Sequence, residues 1–177
     1  MDGFGSLTGH LLIASTLIVE QTFFRSVVLI LEHSDDGAAG LVLNQPTDEP
    51  VAELLPMWAE SVADPGVIHI GGPVEPDVGI GLCPGSTGGA SPLPGVSLVD
   101  LESGPKPTQR GARIYAGYSG WGPGQLESEL AEGSWYLVGA SPDDPFSKPE
   151  DLWTAVLRRQ PGKLAMVANF PADPSLN

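Results

Sequence analysis

The chain has 177 residues, of which 41% are hydrophobic, and its 22 acidic and 8 basic side chains give a net charge of −14. This length and composition predict one folded domain over residues 1–177, with loose ends at about 1–8 and 171–177, and exclude a fully disordered chain. Because so negative a surface repels phosphate backbones, direct binding to nucleic acid is not expected, and a binding partner is expected to be basic, small or uncharged. The 23 glycines and 18 prolines predict many turns and few long helices.

The cysteine content and the N-terminal segment bear on the cellular compartment. Cys83 is the single cysteine, which excludes an internal disulfide framework and fits a reducing compartment. The segment Met1–Leu7 carries no Lys or Arg and is therefore not expected to be a signal peptide. The apolar-rich run Leu11–Val19 is too short to span a bilayer. These features predict a cytoplasmic protein that does not contact a membrane.

Short strands and tight turns dominate the first half of the chain. Ser26–Leu31 is continuously apolar and rich in β-branched residues, which predicts a strand buried on both faces. The Asp36-Gly37 pair is typical of a hairpin turn and predicts a returning strand over Gly40–Asn44. The remaining elements predicted here are strands at Gly9–Ala14, Val67–Ile70 and Val78–Leu82, and a short helix at Val51–Trp58 with Leu54 and Leu55 turned inward.

The second half continues the pattern with two helices. Pro84–Gly95 is rich in glycine and proline and predicts an exposed loop, and Val96–Leu101 fits a strand or a short helix. The other predicted elements are strands at Arg113–Tyr118, Trp135–Val138 and Leu164–Ala168 and helices at Gln125–Glu132 and Pro149–Arg159. Because strands outnumber helices and hairpin signals are frequent, the prediction is an α+β fold with a largely antiparallel sheet and a few short helices.

The common catalytic and cofactor motifs are incomplete in this sequence. Gly120–Gly124 lacks the spacing of a dinucleotide-binding loop, and a tight strand-to-helix turn is the favoured interpretation over an anion site. Ser119 lies in a near match to a nucleophile elbow, but every histidine precedes it, so the order of a hydrolase triad is absent. His10, His33 and His69 are not spaced as a metal pair. No metal and no cofactor are predicted.

Two polar residues, His33 and Arg25, flank the predicted buried strand. His33 follows Glu32 at the end of the predicted buried strand, close to two aspartates. It could act as a general base or a ligand, and a hydrogen-bonded structural histidine is the favoured alternative. Arg25 directly precedes the same strand and is expected to pair with a carboxylate or to hold a carbonyl.

Five stretches together carry a resemblance to a known family. They are G-H-L-L-I-A (Gly9–Ala14), F-x-R-S-V-V-L-I-L-E-H (Phe23–His33), G-A-A-G-L-V-L-N-Q-P (Gly37–Pro46), G-G-P-V (Gly71–Val74) and the glycine-rich stretch Gly117–Trp135. In order and spacing they resemble the YqgE/AlgH family of small bacterial proteins, from Gly9 to about Asn169. The resemblance implies one α+β domain whose curved, bifurcated sheet forms a pseudo-barrel. It implies no known activity, although family members are often labelled transcriptional regulators.

The positions that match the family motifs are the candidate functional residues, because motif residues of this kind exceed what packing alone needs. They are Arg25, His33, Asn44, Gly71, Gly72, Gly120, Trp121, Gln125 and Glu129.

Three functions are compatible with the sequence. The favoured one is a non-enzymatic regulatory or interaction protein that acts through a basic protein partner. The alternative is a small-ligand-binding protein or an enzyme, with a site where the turns Gly71–Pro73 and Gly120–Gly124 approach each other. The polar groups of that site would be His33, Arg25, Asn44 and Glu129. A direct DNA-binding regulator is the weakest of the three, because no helix-turn-helix is evident and the net charge opposes it.

Overall fold

The computed structural model describes residues 5–86 and 90–172. In this part of the chain the strands are β1 (His10–Ala14), β2 (Val27–Ser34), β3 (Gly37–Val42), β4 (Pro46–Pro50), β5 (Val67–Ile70), β6 (Val74–Pro84), β7 (Val96–Val99), β8 (Arg113–Trp121) and β9 (Trp135–Gly139). The α-helices are α1 (Val51–Leu54), α2 (Gln125–Ala131), α3 (Pro149–Arg158) and α4 (Leu164–Val167), with 3-10 turns at Pro56–Trp58 and Asp144–Phe146. None of the described helices combines the length and the apolar character needed to cross a membrane.

The described strands form one nine-stranded sheet, in the order β4-β5-β8-β3-β2-β1-β9, with β6 joined to β8 and β7 to β6. Its pairings are antiparallel except for β5 with β8. The sheet divides at β8, where Ser119–Trp121 pair with β3 while Tyr115 and Ala116 pair with β5. Among the described strands it is not closed into a barrel. The predicted α+β class with a bifurcated, largely antiparallel sheet is confirmed.

The central strands are buried on both faces because their alternate side chains enter two different cores. On β1, Leu11 and Ile13 contribute to the core covered by α3, whereas Leu12 contributes to the core on the α2 side. On β2, Leu29 and Ile30 divide in the same way. The predicted doubly buried strand at Ser26–Leu31 is therefore confirmed. A third, smaller core lies beneath α1 and includes Trp58 and Ile114, both fully or nearly fully buried.

The structure corrects three details of the sequence prediction. Leu164–Ala168, predicted as a strand, forms helix α4 and packs with α3, since a short apolar run suits either element. Strand β4 was not predicted, because Pro46 and Pro50 bound it. Proline is tolerated there because β4 is an edge strand. Leu54 is 56% exposed and does not turn inward as predicted.

Other elements form where predicted but with different bounds. The predicted helix Val51–Trp58 divides into α1 and the 3-10 turn Pro56–Trp58, and β6 begins at Val74 where the sequence predicted Val78. The predicted hairpin joins β2 to β3 through a turn at Asp35 and Asp36, with Gly37 as the first residue of β3. Val96–Leu101, which fitted either element, contains strand β7. Part of the predicted Pro84–Gly95 loop lies outside the described residues, as do most of the predicted loose ends. Leu7, which falls in the predicted loose N-terminal end and within the described part, is buried.

Candidate functional site

The predicted candidate residues fall into separate places on the fold. Gly120, Trp121, Gln125 and Glu129 come together where β8 ends and α2 begins. His33 lies near the C-terminal end of β2, and Arg25 and Asn44 lie near the N-terminal end of the same strand. Gly71 and Gly72 form the connection between β5 and β6.

Glu129 is the centre of a hydrogen-bonded group of side chains. Its Oε2 accepts the indole N–H of Trp121 at 2.6 Å and that of Trp135 at 3.0 Å. Its Oε1 accepts an amide N–H of Gln125 at 3.3 Å, one helical turn earlier. The backbone allows this arrangement because Gly124 takes a left-handed conformation, with φ 73°, directly before α2. A carboxylate is thereby fixed against two indole rings.

These groups line a cleft of about 380 Å³ to which the connection between β1 and β2 also contributes. We call it the indole cleft and define it by Glu20, Phe23, Gly120, Trp121, Glu129 and Trp135. The Phe23 ring stands edge-on to Trp135 at a centroid distance of 5.8 Å, and Trp121 stands edge-on to Trp135 at 6.2 Å. The cleft therefore combines three aromatic rings with two carboxylates.

Gly120 borders the indole cleft and is not required by packing. A Cβ built on it would meet Val74 Cγ2 at 3.6 Å and Tyr118 Cε2 at 3.8 Å, which are ordinary van der Waals distances. The residue is exposed and does not adopt a positive φ. A glycine in such a place leaves room for close approach by another molecule.

His33 is held at both ring nitrogens, away from the indole cleft. Its Nδ1 accepts the backbone N–H of Leu7 at 3.1 Å, so the proton is on Nε2, which donates to Glu127 Oε1 at 2.6 Å. The histidine side chain is only 6% exposed. This hydrogen bond lowers the pKa of the Glu127 carboxyl. The geometry is that of a histidine that fastens the N-terminal segment to α2.

Arg25 and Asn44 hold the start of β2. Asn44 accepts the backbone N–H of Val27 at 2.9 Å through Oδ1 and donates to the carbonyl of Arg25 at 3.0 Å. Arg25 has a φ of 53°, and its guanidinium lies 4.4 Å from the Trp153 ring centroid and donates to the Phe170 carbonyl. Arg25 thus holds a carbonyl, as its position in the sequence suggested, and it joins β2 to the C-terminal segment.

Gly71 and Gly72 lie pressed against the backbone of β8. A Cβ on Gly71 would lie 2.3 Å from the Gly117 carbonyl oxygen, and one on Gly72 would lie 2.2 Å from the Tyr118 carbonyl carbon. Both residues are buried. The two glycine-rich turns approach each other along β8, but Gly71 and Gly72 do not line the indole cleft.

A second concave surface was not predicted from the sequence. It is a groove of about 730 Å³ between α1, β6 and β8. We call it the acidic-rimmed groove and define it by the apolar Leu54, Leu55, Val78 and Leu101 and the acidic Glu49, Asp77 and Glu102. Leu54 is 56% and Val78 is 45% exposed. No local sequence pattern predicts this groove, because it depends on an interruption in the pairing of β6 with β8 between Val74 and Gly79, which leaves Val78 facing solvent.

In residues 5–86 and 90–172, no group of three or more His, Cys, Asp or Glu side chains is arranged to hold a metal ion. His69 is buried against Tyr115, and burial, with a smaller contribution from the charge of Arg113, lowers its pKa to about 4. His69 is therefore a neutral residue of the fold at physiological pH. Ser119 is buried and donates to the carbonyl of Gly71 at 3.2 Å.

Comparison with known proteins places the chain in a family. The profile of the AlgH-like family matches residues 11–165. The UPF0301 protein SCO2948 of Streptomyces coelicolor is 48% identical, covering 100% of this chain and 98% of that protein. A UPF0301 protein of Thermobifida fusca is 42% identical, covering 97% of this chain and 96% of that protein.

Two solved structures share the fold. The crystal structure of protein DIP2367 from Corynebacterium diphtheriae matches with a TM-score of 0.86 and 31% identity, covering 96% of this chain and 95% of that one. The solution structure of the AlgH protein from Pseudomonas aeruginosa matches with a TM-score of 0.70 and 28% identity, covering 97% and 98%. The resemblance seen in the sequence motifs is confirmed, and the chain belongs to the AlgH-like family.

Proposed function

We propose that this chain is a non-enzymatic regulatory protein of the cytoplasm that acts by binding a basic partner protein at the acidic-rimmed groove. The observation that carries the proposal is the exposure of Leu54 and Val78 in a groove whose rim is formed by carboxylates. No Lys or Arg lines the groove in the described part of the chain.

The groove suits a particular kind of segment. Its apolar walls favour burial of leucine-like or aromatic anchors, while Glu49, Asp77 and Glu102 favour Lys or Arg beside those anchors. An amphipathic basic helix or peptide has this combination. The net charge of −14 adds a long-range attraction that accelerates encounter with a basic protein and repels nucleic acid.

The proposal can be tested by partner capture with matched variants. The tagged protein is incubated with lysate of its native host at rising salt, and bound proteins are compared between the wild type, Val78→Asp, Leu54→Asp and Met166→Asp. Met166 is 65% exposed on α4 and does not line the groove, so its substitution controls for the added charge. We expect a partner that is retained by the wild type and Met166→Asp, lost by the two groove variants, and released by salt.

Two results would count against this function. One is a set of captured proteins that is identical for the wild type and both groove variants. The other is binding that does not weaken as salt is raised, since an acidic rim that meets a basic partner is screened by ions.

A second candidate function, binding of a small ligand, is favoured by the indole cleft. Its volume of about 380 Å³ lies in the range of small-molecule sites, and four of the predicted candidate residues line it: Gly120, Trp121, Gln125 and Glu129.

A further inference from the structure

The indole cleft has a composition that selects one class of ligand. We propose that it binds an organic cation of the alkylammonium type, with the charged head near Glu20 and Glu129 and its methyl or methylene groups against Phe23 and Trp135. This inference rests on the second candidate function and does not depend on the protein partner.

The aromatic part of the cleft supports a cationic occupant. The Phe23 and Trp135 planes meet at 82° and the Trp121 and Trp135 planes at 76°, so the three rings are set at angles and not stacked. Trp121 and Trp135 are 7% and 5% exposed and present only an edge of their surface to the cleft, whereas Phe23 is half-buried. Aromatic rings attract cations through their quadrupoles, and several rings set at angles are the usual way in which proteins recognise quaternary ammonium groups.

The two carboxylates of the cleft also support a cationic ligand. Glu20 and Glu129 both line it, and the only ion pairs within 4.0 Å among the described residues are His33–Glu127 and Arg159–Asp144. All eight Lys and Arg residues lie within the described part of the chain. The two carboxylates of the cleft therefore lack a basic side chain as a counter-ion, and a bound cation would supply one.

Space for the ligand is provided at Gly120. The residue is exposed, and its backbone geometry and neighbours would accept a Cβ. Its lack of a side chain leaves the border of the cleft open. A larger side chain at this position would narrow the cleft, so the same residue offers a steric test.

The four indole N–H groups allow ligand binding to be followed in one spectrum, because two of them line the cleft and the other two serve as internal controls. Those of Trp121 and Trp135 bind Glu129, whereas those of Trp58 and Trp153 donate to the carbonyls of Leu101 and Ala14 elsewhere. In ¹H–¹⁵N spectra we would titrate choline and its neutral isostere 3,3-dimethylbutan-1-ol. We expect choline to shift the indole signals of Trp121 and Trp135 in a saturable way, and to leave those of Trp58 and Trp153 in place.

Variants separate charge from shape. Glu20→Gln should weaken choline binding about two- to fivefold, as expected for one exposed carboxylate, and Gly120→Val should abolish the shifts while the other indole signals stay at their wild-type positions. Glu132→Gln, an exposed acidic residue of the same region that does not line the cleft, should bind choline like the wild type.

A further arm distinguishes the source of the cation. In this arm the affinity of N-acetyl-trimethyllysine amide is compared with that of choline. Tighter binding of the lysine derivative would indicate that the natural ligand is a modified side chain of a protein. Equal or weaker binding would indicate that it is a free metabolite. The proposal is overturned if choline causes no saturable shift, if the neutral alcohol shifts the same two signals equally, or if Trp58 and Trp153 respond alike. None of these results bears on partner capture at the acidic-rimmed groove, so the two proposals fail separately.

Discussion

At the scale of single residues, Gly71 and Gly120 show that two glycines from matching motifs have different physical roles. An alanine methyl at Gly71 would lie 2.3 Å from a backbone oxygen that cannot move without disturbing β8, whereas at Gly120 the nearest atom lies at 3.6 Å. We expect Gly71→Ala to lower the free energy of unfolding by about 2 kcal/mol and Gly120→Ala to change it by less than about 0.5 kcal/mol. Urea denaturation of both variants checks this, and equal losses would refute the distinction.

His69 gives the protein a pH-dependent stability whose direction follows from its burial. Its pKa falls from 6.5 to about 4 on folding, so between these values the unfolded chain binds the additional proton. The contribution of neutral His69 to the free energy of unfolding is fully present above pH 6.5. It is lost as the pH falls towards 4, by about 3 kcal/mol. His69→Phe keeps a ring against Tyr115 but cannot bind a proton. It should reduce the fall in the free energy of unfolding between pH 6.5 and 5, where few carboxylates titrate. A wild-type slope that persists in the variant would contradict this assignment.

The candidate site could be predicted from the sequence only in part. Trp121, Gln125 and Glu129 belong to one continuous strand–turn–helix segment, so their proximity follows from local geometry. Phe23 and Trp135 reach the same cleft from other segments through the pairing of β1 with β2 and β9, which sequence spacing does not reveal. His33 could be placed at a strand end, but its partners Leu7 and Glu127 are distant in sequence, so its structural role became visible only in three dimensions.

At the scale of elements, helix α2 is fixed to the sheet through Glu129, which connects it to β8 and β9. Glu129→Ala would leave two indole N–H groups without their acceptor, and we expect a loss of about 2 kcal/mol in the free energy of unfolding together with a changed tryptophan fluorescence spectrum. Glu132→Ala, just beyond the same helix and exposed, is the matched control and should be close to neutral. A Glu129→Ala variant as stable as this control would show that the indole hydrogen bonds do not hold α2.

The elements predicted correctly are those whose sequence pattern agrees with their environment. β2 is a continuous apolar run and lies between two cores, and α3 begins at Pro149 with acidic residues in its first turn. The wrong assignment at Leu164–Ala168 arose where periodicity is uninformative, because four or five apolar residues fit a strand or one helical turn equally well. The interruption in β6 that opens the acidic-rimmed groove depends on pairing with β8 and has no local signal.

At the scale of the whole molecule, net charge and surface shape together support the two proposed kinds of ligand. A net charge of −14 on a compact α+β domain favours basic partners and small cations, and the two concave surfaces described above carry carboxylates beside apolar groups. The acidic-rimmed groove has the larger volume and exposes aliphatic side chains, which suits a segment of another protein. The indole cleft is smaller and aromatic, which suits a compact cationic ligand.

The central claim, that a basic partner docks in the acidic-rimmed groove, is tested most directly by site-specific photo-crosslinking in cells. A photo-reactive amino acid is placed at Val78, at Leu54 or, as a control outside the groove, at Met166, all of which are exposed. The account predicts one discrete cross-linked protein, bearing a basic segment, at positions 78 and 54 and not at 166. Absence of any adduct at 78 and 54, or the same adducts at all three positions, would contradict it.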